Sequence, residues 1–274
     1  MSTGWLAQQL GSEELLIFDC SWYLPSEKRD AQAEFLQAHL PGARFFDIDA
    51  IADTQSSLPH MVPTTAGFEH LIGALGVSNA SRVVYYDQKG IFSAARAWWL
   101  LRLFGHANCA VMDGGLPKWI AERRAVEHGT PSLPKPAVYR ARFHAAYLRG
   151  LGDVLANLNS PQELVLDARS ADRFHARVPE PRPGLRGGHI PGSRNLPFTE
   201  LLSAQQTMLP AAELRARFAA RGVREGSRVV TSCGSGLTAA VLNLGLDVAG
   251  LPMGALYDGS WAEWGGQLDT PVDV

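Results

Sequence analysis

Ser227-Arg228-Val229-Val230-Thr231-Ser232-Cys233-Gly234-Ser235-Gly236-Leu237-Thr238 passes from an apolar run into a glycine-rich turn, and Ala239-Ala240-Val241-Leu242 then begins a helical pattern. Paired valines followed by an abrupt Gly-x-Gly read as a buried strand ending in a tight loop. The same opening occurs earlier as Ser81-Arg82-Val83-Val84, offset by 146 residues. His39-Leu40-Pro41-Gly42 returns as His189-Ile190-Pro191-Gly192, and Leu16-Ile17-Phe18-Asp19 returns as Val165-Leu166-Asp167. Asp113-Gly114 with Trp119 is matched by Asp258-Gly259 with Trp264. Landmarks recurring in register mark a duplicated domain.

Within each copy, short apolar runs alternate with longer helical patterns, as expected for parallel strands joined by helices. The expected strands are Leu15–Asp19, Arg82–Asp87 and Ala110–Asp113 in the first copy, and Glu163–Asp167, Arg228–Cys233 and Ala255–Asp258 in the second. Residues 65–76, 93–105, 210–222 and 238–250 read as helices, the first, second and fourth with a glycine stop. The fold class is therefore α/β: two tandem domains, each a mainly parallel sheet covered by helices on both faces. Prolines at 131, 134 and 136 favour an extended connection. The expected division is a first domain over 1–130, a linker over 131–145 and a second domain over 146–274.

The 274 residues are 46% hydrophobic with a net charge of -2, which gives a packed core and no chain-wide footprint for nucleic acid or an anionic membrane. No stretch is apolar enough for a membrane span, and the first residues lack a basic segment followed by an apolar core. A soluble, cytoplasmic protein with no nucleic-acid or membrane partner is expected. Cys20, Cys109 and Cys233 are few, odd in number and irregularly spaced, which argues against a disulfide framework. No cluster has metal-ligand spacing, so neither metal nor cofactor is expected.

Of the three cysteines, Cys233 alone stands where a strand gives way to a glycine loop and a helix, beyond the carboxyl end of the sheet where α/β proteins bind ligands. Loop amides and a helix dipole stabilise an anion there and favour a reactive thiolate at the mouth of a backbone-lined cup. The plainer alternative is a small residue filling space at a strand end. Cysteine phosphatases share the strand, cysteine, loop and helix, but they need an arginine at the loop's end to clamp phosphate. Here Thr238 or Ala239 takes that place.

The run Cys233–Thr238, both His-x-Pro-Gly turns, Asp258-Gly259-Ser260-Trp261 and the duplication together resemble the tandem-domain rhodanese family, in particular its mercaptopyruvate sulfurtransferases. The resemblance spans nearly the whole chain. It implies two rhodanese-like domains, of which only the second is catalytic, since Asp87 stands at the first copy's cysteine position. It further implies sulfur transfer from 3-mercaptopyruvate through a Cys233 persulfide to a thiol or to cyanide, with a thioredoxin-like protein among the acceptors. Arg173 and Arg182 match the family's paired arginines for the donor's carboxylate and keto oxygen. They belong to a run of six arginines at 169, 173, 177, 182, 186 and 194, which reads as a local anion site or as a solvated face. Gly234, Gly236, Leu237 and Thr238 complete the binding loop. Ser235 matches the loop serine of a proposed Ser-His-Asp relay, whose other members here are His60 and Asp49. A neutral Gly234-Ser235 pair after the cysteine disfavours thiosulfate as donor, leaving thiosulfate:cyanide sulfur transfer and a non-catalytic sulfur-relay or binding module as alternatives.

Overall fold

A computed structural model describes residues 1–274. The chain divides into two compact units, one of residues 1–54, 62–144 and 204–207, the other of 55–61, 145–203 and 208–274. Strands of the first unit are β1 (Leu15–Asp19), β2 (Arg44–Phe45), β3 (Arg82–Tyr86) and β4 (Cys109–Val111). The second contains β5 (Leu148–Arg149), β6 (Leu164–Asp167), β7 (Arg194–Asn195), β8 (Val229–Ser232) and β9 (Ala255–Tyr257). Their sheet orders are β2-β1-β3-β4 and β5-β9-β8-β6-β7. Read from the opposite end, the second repeats the first and adds β5 at its edge.

All pairings are parallel, with Ile17 beside Val84 in the first sheet and Val165 beside Val230 in the second. Central strands of parallel sheets are covered on both faces, which explains why β3 and β8 are buried without alternation. Val83, Val84, Tyr85 and Tyr86 are all buried. The first core packs Ile17, Val84, Leu40 and Trp119 together, and the second packs their counterparts Val165, Val230, Ile190 and Trp264.

The His-x-Pro-Gly turns prove to be braces. His39 stacks on Phe35 and hydrogen-bonds its carbonyl through Nδ1 at 2.8 Å; His189 does the same with Phe174 at 3.0 Å. Gly42 and Gly192 close the turns at φ 71° and 74°, a backbone conformation suited to glycine.

The stretch expected to link the domains lies against the first unit over much of its length. Ala137 donates to the Gly73 carbonyl, and a Cβ on Gly73 would fall 2.6 Å from the Ala137 oxygen. Tyr139 is buried and donates to the Phe104 carbonyl at 3.1 Å. Prolines keep this segment extended, and Tyr139 packs edge-on against Phe68 of helix Thr65–Ala74 while Leu133 and Val138 stay exposed.

Candidate active site

β8 is the central strand of the second sheet and delivers Cys233 at its carboxyl end. The chain then turns through Gly234–Thr238, with Gly236 at φ 79°, before helix Ala239–Val248 begins. The amides of Gly234, Ser235, Leu237 and Thr238 donate to no backbone carbonyl, although Ser235 and Leu237 are buried. Buried donors are nearly always satisfied, so a run of open amides is the signature of an anion-binding loop.

The opposite side of the loop is held firmly. At the start of helix Ser260–Trp264, Trp261 N–H donates to the Cys233 carbonyl at 3.0 Å and Ala262 N–H to the Gly234 carbonyl at 2.8 Å. Cys233 is only 2% exposed, so the thiol lies deeper than an open mouth would place it. Poor hydration there strengthens every dipole acting on the sulfur. All three cysteines are free thiols, and burial pushes the Cys20 thiol up, beside the carboxylates of Asp19 and Asp87.

Arg173 comes from helix Ala171–Phe174, whose Ser170 cap accepts the Arg173 amide. Its guanidinium donates to Glu180 at 2.5 and 3.2 Å and lies against the loop: a Cβ on Gly234 would stand 3.0 Å from Arg173 Nη2. Glycine at 234 is thus what lets an arginine approach beside the cysteine. Arg182 is half-buried in the irregular stretch after Glu180.

The six-arginine run does not converge on one anion site. Arg169 is fully buried, bonded to Asp167 and Glu180 and stacked 4.3 Å over Trp261. Arg186 holds the carbonyls of Trp264, Gly265 and Thr270, whereas Arg177 is an exposed partner of Asp172. Spacing in sequence grouped side chains that the short helix and following loop send in different directions.

His60 belongs to the 55–61 segment that packs with the second unit. Its Nδ1 lies 3.0 Å from Ser235 Oγ and 3.2 Å from the Ser235 carbonyl. Both residues are buried, and His60 has φ 63°, a strained backbone for a non-glycine residue that is typical of functional positions. Asp49 lies in the first unit, on helix Ile48–Ile51, where its carboxylate accepts from Trp22 Nε1 at 2.9 Å.

Two residues of this region escape sequence reasoning. The Glu180 side chain is buried and joins Arg169 to Arg173; in the sequence it is one acid among arginines. Ser260 touches the backbone of Cys233, and its motif is visible in the sequence only as a landmark of the repeat.

A rhodanese-like domain model matches residues 2–122 and again 151–267. The 3-mercaptopyruvate sulfurtransferase of Escherichia coli K12 is 42% identical over 270 residues, covering 98% of this chain and 95% of the relative. The Arabidopsis thaliana protein named "Thiosulfate/3-mercaptopyruvate sulfurtransferase 1, mitochondrial" is 41% identical, covering 100% of this chain and 77% of its own length. The crystal structure of SseA from Escherichia coli, described as a 3-mercaptopyruvate sulfotransferase, superposes with a TM-score of 0.86 at 39% identity and covers 95% of this chain and 98% of that one. With two rhodanese-like domains and full-length relatives at this level of identity, the chain belongs to the rhodanese family of sulfurtransferases.

Proposed function

We propose that the protein is a 3-mercaptopyruvate sulfurtransferase in which Cys233 carries the sulfur. The observation that supports this most is the Cys233–Thr238 loop itself, with its open amides and with Arg173 drawn against Gly234. Cys233 thiolate attacks the donor's sulfur, forming an S–S bond as the C–S bond breaks, and the bonding pair leaves on carbon as pyruvate enolate. Arg173 and Arg182 hold the carboxylate and keto oxygen, where planar guanidinium forks fit two oxygens better than ammonium groups would. The amides of Gly234, Leu237 and Thr238 stabilise the persulfide anion, and Gly236 at φ 79° supplies the turn that aims them.

Protonation of the enolate at carbon gives pyruvate. Ser235 supplies that proton and recovers it through His60, whose Nδ1 lies 3.0 Å from its hydroxyl. An acceptor thiolate, or cyanide, then attacks the outer sulfur and releases Cys233 as thiolate. Burial excludes water and so protects both enolate and persulfide from side reactions.

A small-molecule donor and a thiol acceptor follow from sulfur transfer in general. A thioredoxin-like protein suits the buried persulfide as acceptor. The chemistry needs a reduced thiol, and three free cysteines fit the reducing cytoplasm better than an oxidising compartment. No helix is long and apolar enough to cross a membrane, and the near-neutral charge gives no reason to expect nucleic acid.

Incubation with 3-mercaptopyruvate followed by mass spectrometry should find one added sulfur on Cys233 and one pyruvate per enzyme. Turnover retained in Cys233→Ser would overturn the assignment. Parallel kinetics with thiosulfate would then rank the two donors that the Arabidopsis relatives' names join.

A further inference from the structure

We propose that Ser260 is the positioning residue that fixes Cys233 for persulfide formation; this inference rests on Cys233 being the nucleophile. Ser260 is fully buried at φ 48°, a left-handed conformation in which serine is strained. Its Oγ accepts the Cys233 amide at 3.2 Å and donates to the Tyr257 carbonyl at 2.8 Å. The hydroxyl therefore ties the last residue of β9 to the first residue of the reactive loop.

The first unit supplies the internal control. Its residue at the corresponding place is Gly115, left-handed as well at φ 54°, although Gly114 before it is left-handed where Gly259 is helical. The clamp is also the same, because Leu116 N–H donates to the Asp87 carbonyl at 3.0 Å, as Trp261 N–H does to Cys233. What differs is the side chain. A Cβ on Gly115 would fall 2.2 Å from the Asp87 oxygen and 2.8 Å from that of Gly90, so that unit has no room for one.

The second loop is one residue shorter between the equivalent residue and its helix, and there a side chain fits. The fold can thus make this turn with glycine and without strain, yet the unit bearing the cysteine uses a strained serine whose hydroxyl reaches the cysteine's backbone. Strain kept at one copy and absent from the other marks function over folding. Without Oγ, the Cys233 amide loses its acceptor, and the start of the loop is held by its carbonyl alone.

Ser260→Gly separates the two roles, since glycine relieves the left-handed backbone while removing the hydroxyl. In single-turnover assays with 3-mercaptopyruvate and no acceptor, Ser260→Gly should form persulfide about tenfold more slowly at saturating donor, as expected for loss of one positioning hydrogen bond. Its half-saturating donor concentration should stay within about twofold of the parent's and its melting temperature should not fall. Ser260→Ala keeps the strain and should be as slow but melt lower. A parental rate in Ser260→Gly would overturn the proposal, as would a rate loss that merely follows a lowered melting temperature in both variants. Cys233→Ser run alongside tells the two failures apart: persulfide formed without Cys233 defeats the assignment of the nucleophile, whereas its absence confines any failure to Ser260.

Discussion

The loops that follow β3 and β8 begin at equivalent places in the two units, and each surrounds a different side chain, Asp87 in one and Cys233 in the other. In the first, Asp87 is 1% exposed, and its carboxylate accepts from the amides of Lys89 at 2.9 Å, Phe92 at 2.8 Å and Ala94 at 3.0 Å. Burial pushes that carboxyl above its usual range and the three amides pull it back. In the second, Cys233 occupies the position and four loop amides stay without a carbonyl partner. A short polar side chain fills the first cup permanently. The second keeps amides without a carbonyl partner around a buried thiol, as the sulfur transfer proposed for Cys233 would require.

Exchanging the two side chains gives the largest expected effect. Cys233→Asp should make the second loop resemble the first, with sulfur transfer reduced by at least about a thousandfold and no loss of melting temperature. Persulfide-dependent turnover in that variant would end the comparison. The reverse measurement concerns stability. Asp87→Ala removes the carboxylate from three amides, that of Ala94 fully buried and those of Lys89 and Phe92 partly so, and should cost about 2 kcal/mol in denaturant unfolding. Asp87→Asn keeps one acceptor oxygen and should cost less. A loss below about 0.5 kcal/mol for the alanine variant would mean that the first loop does not depend on its carboxylate.

The features legible in the sequence are those carried by runs of adequate length. β1, β3, β6 and β8 are four or five residues long and carry apolar runs, and the repeat fixed their correspondence. The cysteine loop was equally legible, because Gly-x-Gly between strand and helix has a direct backbone meaning. β2, β5 and β7 have two residues each, too few for any periodicity to register. His60 precedes Ser235 by 175 residues and lies within the first copy, yet its segment packs with the second unit, so no local pattern could pair them. The left-handed backbone of Ser260 is likewise silent in sequence, since serine does not announce a positive φ as glycine often does.

A second pair of equivalent residues differs in its partners, and one of the two responds to pH. Asp167 is neutralised by the Arg169 guanidinium at 2.6 Å. Asp19, at the same place in the first sheet, has Ser21 and Gln88 as partners, and burial, reinforced by the nearby Asp87 charge, raises it to about 6. An unfolded aspartate titrates near 3.9, so between roughly pH 4 and 6 the folded chain holds a proton that the unfolded chain has released. That contribution is complete below about pH 4 and is lost as pH rises through about 6, a change of about 2 to 3 kcal/mol. Asp19→Asn should therefore gain stability relative to the parent between pH 4.5 and 7.5. An unchanged difference between the two proteins at both pH values would place the titration elsewhere.

The smallest expected effect tests why the reactive loop carries glycine directly after its cysteine. A Cβ at 234 meets the end of the flexible Arg173 side chain at 3.0 Å, so Gly234→Ala forces the guanidinium aside by a few tenths of an ångström without disturbing the backbone. Arg173 is also held by the buried Glu180, and it cannot withdraw far without breaking a charge-assisted pair. The displaced arginine then meets the donor's carboxylate off its bidentate axis. KM for 3-mercaptopyruvate should rise several-fold, equivalent to about 1 kcal/mol, with kcat changed less. A fall in kcat at constant KM would instead assign the glycine to the geometry of Cys233, and Arg173 would lose its place as the donor's clamp.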